Sequence, residues 1–290
     1  MKNENFDYEQ VFMGARNEKP KTYYLSFNQD YRLRSLVNTI YLKKGKLLDI
    51  GCGGGRITES LPYYFPEAKI YGCDVSHTAI SYAKKFGSDK VKYSQIKDKR
   101  LPYNGSFFDV CICLDVLEHV PNVEFFLKEV KRVLKKNGTF FLIVPCEGQQ
   151  FTYTWFFQKI GHGQNLTRRY FGHIHPEFTH GKVKQILEKH GFKIKKTFFS
   201  EHLFYQLAHL LIFFLPKIIL EKLLGETKAA EYSNAGLIRA PKNSINPLII
   251  VRGIWYLFFD LMMYYPMNYE TIFLSKLSHT AWKLHVLVEK

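Results

Sequence analysis

The stretch Leu47-Leu-Asp-Ile-Gly-Cys-Gly-Gly-Gly-Arg56 decides the fold. It is a short apolar run carrying one acid, Asp49, and it breaks into four glycines within the five residues 51–55. It reads as a strand ending in a nucleotide-binding turn. Glycine reaches positive φ and has no Cβ, so a ligand can come close to its backbone N–H groups. A dinucleotide fingerprint, Gly-x-Gly-x-x-Gly, needs a third glycine. Counted from Gly51 that position is Arg56, and counted from Gly53 it is Thr58, so neither frame completes it.

The acid then decides between ligands. Just before the turn, Asp49 would repel a diphosphate and attract the positively charged amino group of an amino-acid-like cofactor, which points to S-adenosylmethionine. Working outward, Lys69-Ile-Tyr-Gly-Cys-Asp-Val-Ser76 is a second strand ending in Asp74, whose carboxylate would meet ribose hydroxyls. Either cofactor needs that contact, so Asp74 argues for a nucleoside and no further.

Strands and helices alternate from about 46 to 199, as in an α/β fold with a parallel sheet covered on both faces. After the first two strands come a helix over His77–Phe86, a strand at Val91–Ile96 and a strand at Phe107–Leu114. A fifth strand spans Thr139–Val144. The helix before it has Pro121 in its first turn, Gly138 past its end, and Val123, Phe126, Leu127, Val130, Val133 and Leu134 at helical spacing. A helix near Thr179–His190 and a strand Phe192–Phe199 follow, and Trp282–Val288 reads as a last strand returning to the sheet. The expected organisation is a helical cap over 1–45, a core over 46–199, an apolar helical insert over 200–278 and the final strand over 279–290.

With 290 residues, 46% of them hydrophobic and 23% charged, the chain has the composition of a globular protein that buries one sizeable core. Its five cysteines form no Cys-x-x-Cys pair, which favours reduced thiols, and the N-terminal Met1–Gln10 lacks the apolar centre of a signal peptide. Both place the chain in the cytoplasm. The formal charge of +15 implies an anionic partner, nucleic acid or acidic lipid. Lipid is favoured by two apolar stretches, Leu203–Leu220 and Pro247–Pro266. Gln206, His209 and Pro216 interrupt the first, and Arg252 and Asp260 the second, so each fits interfacial insertion at the cytoplasmic face of a membrane better than a clean span. A lid over the site and a dimer interface are the other readings of this insert.

In order and in detail these motifs resemble the class I S-adenosylmethionine-dependent methyltransferases, over roughly residues 45–200 and the last strand. Leu48-Asp-Ile-Gly-Cys-Gly-Gly-Gly is similar to their first motif, Asp74 to their ribose acid, and Leu101-Pro-Tyr-Asn-Gly-Ser-Phe-Phe-Asp-Val110 to their approach to the fourth strand. Val116-Leu-Glu-His-Val120 and Val133-Leu-Lys-Lys-Asn-Gly138 continue the likeness. The resemblance implies a Rossmann-like, seven-stranded, mostly parallel sheet. It implies cofactor contacts at Asp49, Gly51, Cys52, Gly53, Asp74 and Val75, at Ile96, Lys97 and Asp98 beside adenine, and at Leu114 beside the methionine portion.

Within that class, Asp115-Val-Leu-Glu-His-Val-Pro121 resembles the segment of the ubiquinone-pathway O-methyltransferases in which two acids and a histidine serve a divalent metal. The resemblance implies Asp115, Glu118 and His119 as ligands, although that group has Glu where this chain has the shorter Asp115. On the residues alone, Asp115 and Glu118 also read as a capping box.

Methyl transfer needs alignment and, for a hydroxyl acceptor, removal of a proton. His119 is the favoured base, with Glu118 beside it. The loop 145–175 adds His162, Arg168, Arg169, His173 and His175 as candidates, and Tyr153, Trp155 and Phe156 as walls of an apolar acceptor pocket. Tyr24, Arg32 and Arg34 are placed to close over a cofactor carboxylate. The expected reaction is O-methylation of a small or lipid-like acceptor, such as a quinone, isoprenoid or glycolipid. The rival readings are an RNA or other nucleic-acid methyltransferase, for which cytosine C5 chemistry would need a nucleophile such as Cys146 although that residue reads better as a buried free thiol, and a non-catalytic cofactor-binding protein recruited to membranes.

Overall fold

A computed structural model describes residues 31–161, 167–168, 172–211, 215, 219 and 269–290. Tyr24, His162 and Arg169, and most of the apolar segment between 212 and 268, lie outside the described residues. The chain builds one seven-stranded sheet in the order β3-β2-β1-β4-β5-β7-β6. Its strands are β1 Gly45–Ile50, β2 Ala68–Asp74, β3 Val91–Gln95, β4 Phe108–Leu114, β5 Leu134–Pro145, β6 Lys193–Ser200 and β7 Lys283–Glu289. Strands β1 to β5 pair in parallel, whereas β7 runs antiparallel to both β5 and β6.

Alternation along the strands sends successive side chains to opposite faces, so each face buries its own core. Leu47, Val110, Ile112, Phe141 and Ile143 meet helices α1 (Tyr31–Val37), α2 (Leu61–Tyr64) and α3 (His77–Phe86) through Leu33, Leu36, Leu61, Ile80 and Ala83. On the other face Leu48, Cys111, Phe140 and Leu142 meet α4 (Val123–Val133) and α6 (His180–Lys189) through Leu127, Val130, Val133, Val183 and Leu187. Two short helices, α5 (Tyr153–Lys159) and α7 (Leu203–His209), complete the described elements.

Two local readings of the sequence need correction. Helix α4 starts at Val123, two residues later than Pro121 suggests, because Asn122 is its N-cap and accepts from the Phe125 N–H at 2.9 Å. It also stops at Val133, where β5 begins, four residues sooner than the Gly138 boundary implies. The capping box at Asp115 and Glu118 does not form. Residues Leu117–His119 make a single 3₁₀ turn with no side-chain cap, and Asp115 sits at φ +56° with its carboxylate turned to two cations.

The strand order reverses between β1 and β4, and in open α/β sheets the crevice at that point, beyond the carboxyl ends of the strands, is where ligands bind. The glycine turn leaves β1 there and the Asp115–His119 segment leaves β4 there.

Candidate functional site

The glycine turn is held by backbone hydrogen bonds to β2. Gly51 and Cys52 donate N–H bonds to the Cys73 carbonyl at 2.7 and 3.1 Å. Gly51 has φ +79°, and a Cβ there would lie 2.3 Å from Val116 Cγ2, so Val116 packs directly on the turn and only glycine fits. A Cβ on Gly53, at φ +54°, would meet nothing within 4 Å, so the turn is open on that side. Asp74 is fixed at the end of β2 by the Gly53 N–H at 2.8 Å and the Ser76 N–H at 2.9 Å. Its carbonyl accepts from Ile96 at 2.8 Å, Val75 beside it is exposed, and Lys97 bridges to Arg100, so the residues expected at ribose and adenine share one rim. Asp49 is 3% exposed and accepts from Thr58 Oγ1 at 2.7 Å; burial pushes its carboxyl up to about 6. Leu114 is buried at the end of β4.

Beyond Leu114 the chain enters a buried charge network. Asp115 Oδ2 accepts from Arg32 Nη1 at 3.1 Å and from Lys283 Nζ at 2.9 Å. Lys283 also lies 3.0 Å from Glu201 Oε1 and donates to the Tyr31 hydroxyl at 2.6 Å. Tyr31 in turn donates to Glu201 Oε1 at 2.5 Å. Burial works to raise the Asp115 carboxyl, but Lys283 and Arg32 outweigh it and hold it at about 2. Arg32 therefore faces an acid of the chain itself.

One turn further, Glu118, His119 and His173 place a carboxylate oxygen and two ring nitrogens within 4.8 Å of one another. His119 Nε2 is 3.7 Å and His173 Nε2 3.9 Å from Glu118 Oε1. The opposite ring nitrogens are occupied: His119 Nδ1 donates to the Gly172 carbonyl at 3.1 Å and His173 Nδ1 bonds Glu147. Glu147 is held by Thr167 Oγ1 at 2.6 Å. A ring whose Nδ1–H is spent on a carbonyl or carboxylate presents an Nε2 lone pair, the arrangement found behind metal-bound histidines.

Glu118 is 1% exposed and, among the described residues, neither of its carboxylate oxygens has a hydrogen-bond partner. Such an orphaned acid costs free energy unless something fills the gap. Burial, with Asp115 adding to it, pushes Glu118 well above the usual carboxylate range, and burial with His173 pulls His119 down to about 4. Nitrogen and oxygen donors of this kind suit a divalent transition ion, which would bring the Glu118 carboxyl back down and hold the His119 ring neutral as a ligand. The residues present therefore fit a metal, with His173 in the place that sequence gave to Asp115.

The remaining candidates disperse. His175 is used up by the Val120 carbonyl at 2.8 Å and stacks on Phe178. Arg168 and Phe156 are exposed, so Phe156 lines no closed pocket. Tyr153 bonds His209 Nδ1 at 3.0 Å and packs edge-on against Trp282. Cys146 is fully buried, burial pushes its thiol well up, and its Sγ faces the Val144 carbonyl, which removes the nucleophile a cytosine C5 methylase needs. Sequence reasoning missed Lys283, Glu201, Tyr31 and Glu147; none belongs to a motif or a regular spacing, and only the fold brings them together.

Residues 48–142 match the methyltransferase domain family, and the sheet order, the glycine turn and the position of Asp74 at the end of β2 accord with a class I S-adenosylmethionine-dependent methyltransferase domain. S-adenosylmethionine is the cofactor of that family. The chain is 38% identical over 122 residues to the ubiquinone biosynthesis O-methyltransferase of Pelagibacter ubique, a match covering 39% of this chain and 47% of that protein. The chain thus spans about half the length of the curated relatives it matches. Among solved structures it is similar to phosphoethanolamine N-methyltransferase 2 of Haemonchus contortus in complex with S-adenosyl-L-methionine, at 16% identity and TM-score 0.52 over 90% of this chain and 52% of that one. It is equally similar to the 4+2 cyclase SpnF, at 18% identity and TM-score 0.52 over 89% and 80%. Likeness at that identity carries the fold alone.

Proposed function

We propose that the protein transfers a methyl group from S-adenosylmethionine to a hydroxyl of a small or lipid-like acceptor at the cytoplasmic face of a membrane. The observation that carries this reading is the unpartnered Glu118 carboxylate facing two Nε2 atoms, one turn beyond the strand that borders the glycine turn. A relative that bears the name of an O-methyltransferase supports an oxygen acceptor.

The steps follow from the residues. Asp74 holds the ribose, the glycine turn admits the cofactor backbone, and Asp49 contributes the negative field that favours its ammonium group. The acceptor hydroxyl gives its proton to His119 Nε2, which is neutral above pH about 4. Its oxygen then takes the methyl group as the carbon–sulfur bond breaks, and the sulfonium leaves as a neutral thioether. A divalent cation held by Glu118, His119 and His173 would occupy that same Nε2 and replace it as the means of proton removal, lowering the pKa of the hydroxyl as a Lewis acid.

Calorimetry with S-adenosylmethionine, followed by methyl transfer to a panel of catechols, polyprenyl phenols and glycolipids, tests the reading. Glu118→Gln is expected to keep cofactor binding and lose transfer by about a hundredfold or more. Chelation separates the two means of proton removal, since loss of transfer that added zinc or magnesium restores assigns it to the cation. If Glu118→Gln transfers methyl groups at the wild-type rate to every acceptor that works, the site is misassigned.

A further inference from the structure

We propose that the face formed by α7 and residues 269–277 docks on an anionic lipid bilayer, and this rests on the reading of the chain as a methyltransferase of a lipid-like acceptor. On α7, Leu203, Phe204 and Leu207 are 60%, 52% and 47% exposed, and their spacing puts them on one side of the helix, while Gln206 and Ala208 are buried. Alongside, Ile272 and Phe273 are 60% and 76% exposed, and Tyr269 and Leu277 are also more than half exposed.

The two segments are locked together. The Glu270 carboxylate accepts the N–H groups of Phe204 and Tyr205 at 2.9 and 3.1 Å, and the Gln206 amide donates to the Thr280 and Glu201 carbonyls at 2.7 and 2.9 Å. The inner side of this unit thus reaches Glu201, the partner of Lys283 beside the candidate site. Its outer side exposes Leu203, Phe204 and Leu207 together with Ile272 and Phe273, a density of apolar side chains unlike the single exposures of an ordinary protein surface.

Charge chooses the occupant. Between 203–211 and 269–282 the one acid is Glu270, and it is buried as the cap of α7, whereas Lys276 and His279 are exposed. Among the described residues the outward face therefore offers apolar groups and the Lys276 ammonium with no exposed carboxylate, which complements an anionic bilayer and repels a second copy of a chain carrying +15. No helix among the described residues is long and apolar enough to cross a membrane. Docking through this unit, whose inner side reaches Glu201, would hold the protein at the bilayer in which its acceptor dissolves.

The test is co-sedimentation of the full chain with vesicles of mixed phosphatidylglycerol and phosphatidylcholine, and with phosphatidylcholine alone. Wild type is expected to pellet with the anionic vesicles and to be released by salt. Ile272→Ser with Phe273→Ser, both at exposed positions, is expected to weaken that partition by about tenfold or more. Cofactor binding by calorimetry on the same samples reports folding and the cofactor site separately. Vesicle binding lost with cofactor binding kept in the double variant supports the face. The proposal is overturned if wild type ignores anionic vesicles, if the double variant binds them as well as wild type does, or if sedimentation shows a wild-type dimer that the double variant dissolves. Loss of cofactor binding in the wild type would instead sink the methyltransferase reading on which the proposal rests.

Discussion

Replacing Lys283 with Met should destabilise the protein by about 3 to 5 kcal/mol at neutral pH, the usual cost of removing one partner of a buried ion pair. Lys283 is 8% exposed, stands 2.9 Å from Asp115 and 3.0 Å from Glu201, and donates to Tyr31. The variant would leave two buried carboxylates with Arg32, 3.1 Å from Asp115, as their nearby cation. Sign and pH window follow from the carboxyl groups. In the wild type Asp115 is held at about 2, so its contribution is present above its unfolded pKa near 4 and is lost as pH falls through about 2. Glu201 is already raised, by burial first, with Lys283 pulling it down. Without Lys283 both acids titrate higher than when unfolded, so each then destabilises the fold at high pH and is relieved by protonation. The gap between variant and wild type should therefore close as pH is lowered from about 8 to about 5. Urea unfolding followed by far-ultraviolet circular dichroism across that range reads it directly. A gap under about 1 kcal/mol, or one that stays constant with pH, would refute the account of this network.

Other outcomes follow from the same geometry. Gly51→Ala should weaken S-adenosylmethionine binding in calorimetry by tenfold or more and lower stability, because its Cβ would fall 2.3 Å from Val116 Cγ2 at a φ of +79°; adding Val116→Ala should recover only the steric part, leaving about 1 kcal/mol of backbone cost. Asp74→Ala removes the acceptor for the Gly53 and Ser76 N–H groups, and calorimetry should show cofactor affinity falling while the urea midpoint moves little. His285 is buried between Ser35 and Ser200, and burial holds it at about 3. Its folded pKa lies below the unfolded value near 6.5, so it costs about 1.4 kcal/mol per pH unit as pH falls from there toward 3; His285→Gln should flatten the acid limb of the stability curve. In chelated protein, methyl transfer should lose rate as pH drops through about 4, where His119 takes a proton, and a half-maximum near 6.5 would exclude it as the base.

What the sequence made legible was local. The run Leu47–Ile50, the glycines behind it and Asp74 at the end of β2 are each set by neighbours within a few residues or by strand alternation, and the structure places them on one rim. The apolar stripe of α4 was equally readable, but not its start, because a single Asn122 cap outweighed the proline signal. The site beyond β4 needed contacts that no spacing encodes. Asp115 was read as a cap or a ligand from its distance to Glu118, yet its conformation is dictated by Lys283, 168 residues away, and by Arg32, 83 residues away. His173 enters the cluster only because its loop crosses back over β4, with the Ile174 N–H donating to the Glu118 carbonyl at 2.9 Å, so that the second histidine of the set comes from outside the motif. The same exchange explains why the metal-like arrangement survives a shortened acid. Asp115 cannot serve both the cations and the cluster, and with a carboxylate drawn to Lys283 the donor it would have supplied comes from a ring nitrogen that Glu147 aims at Glu118.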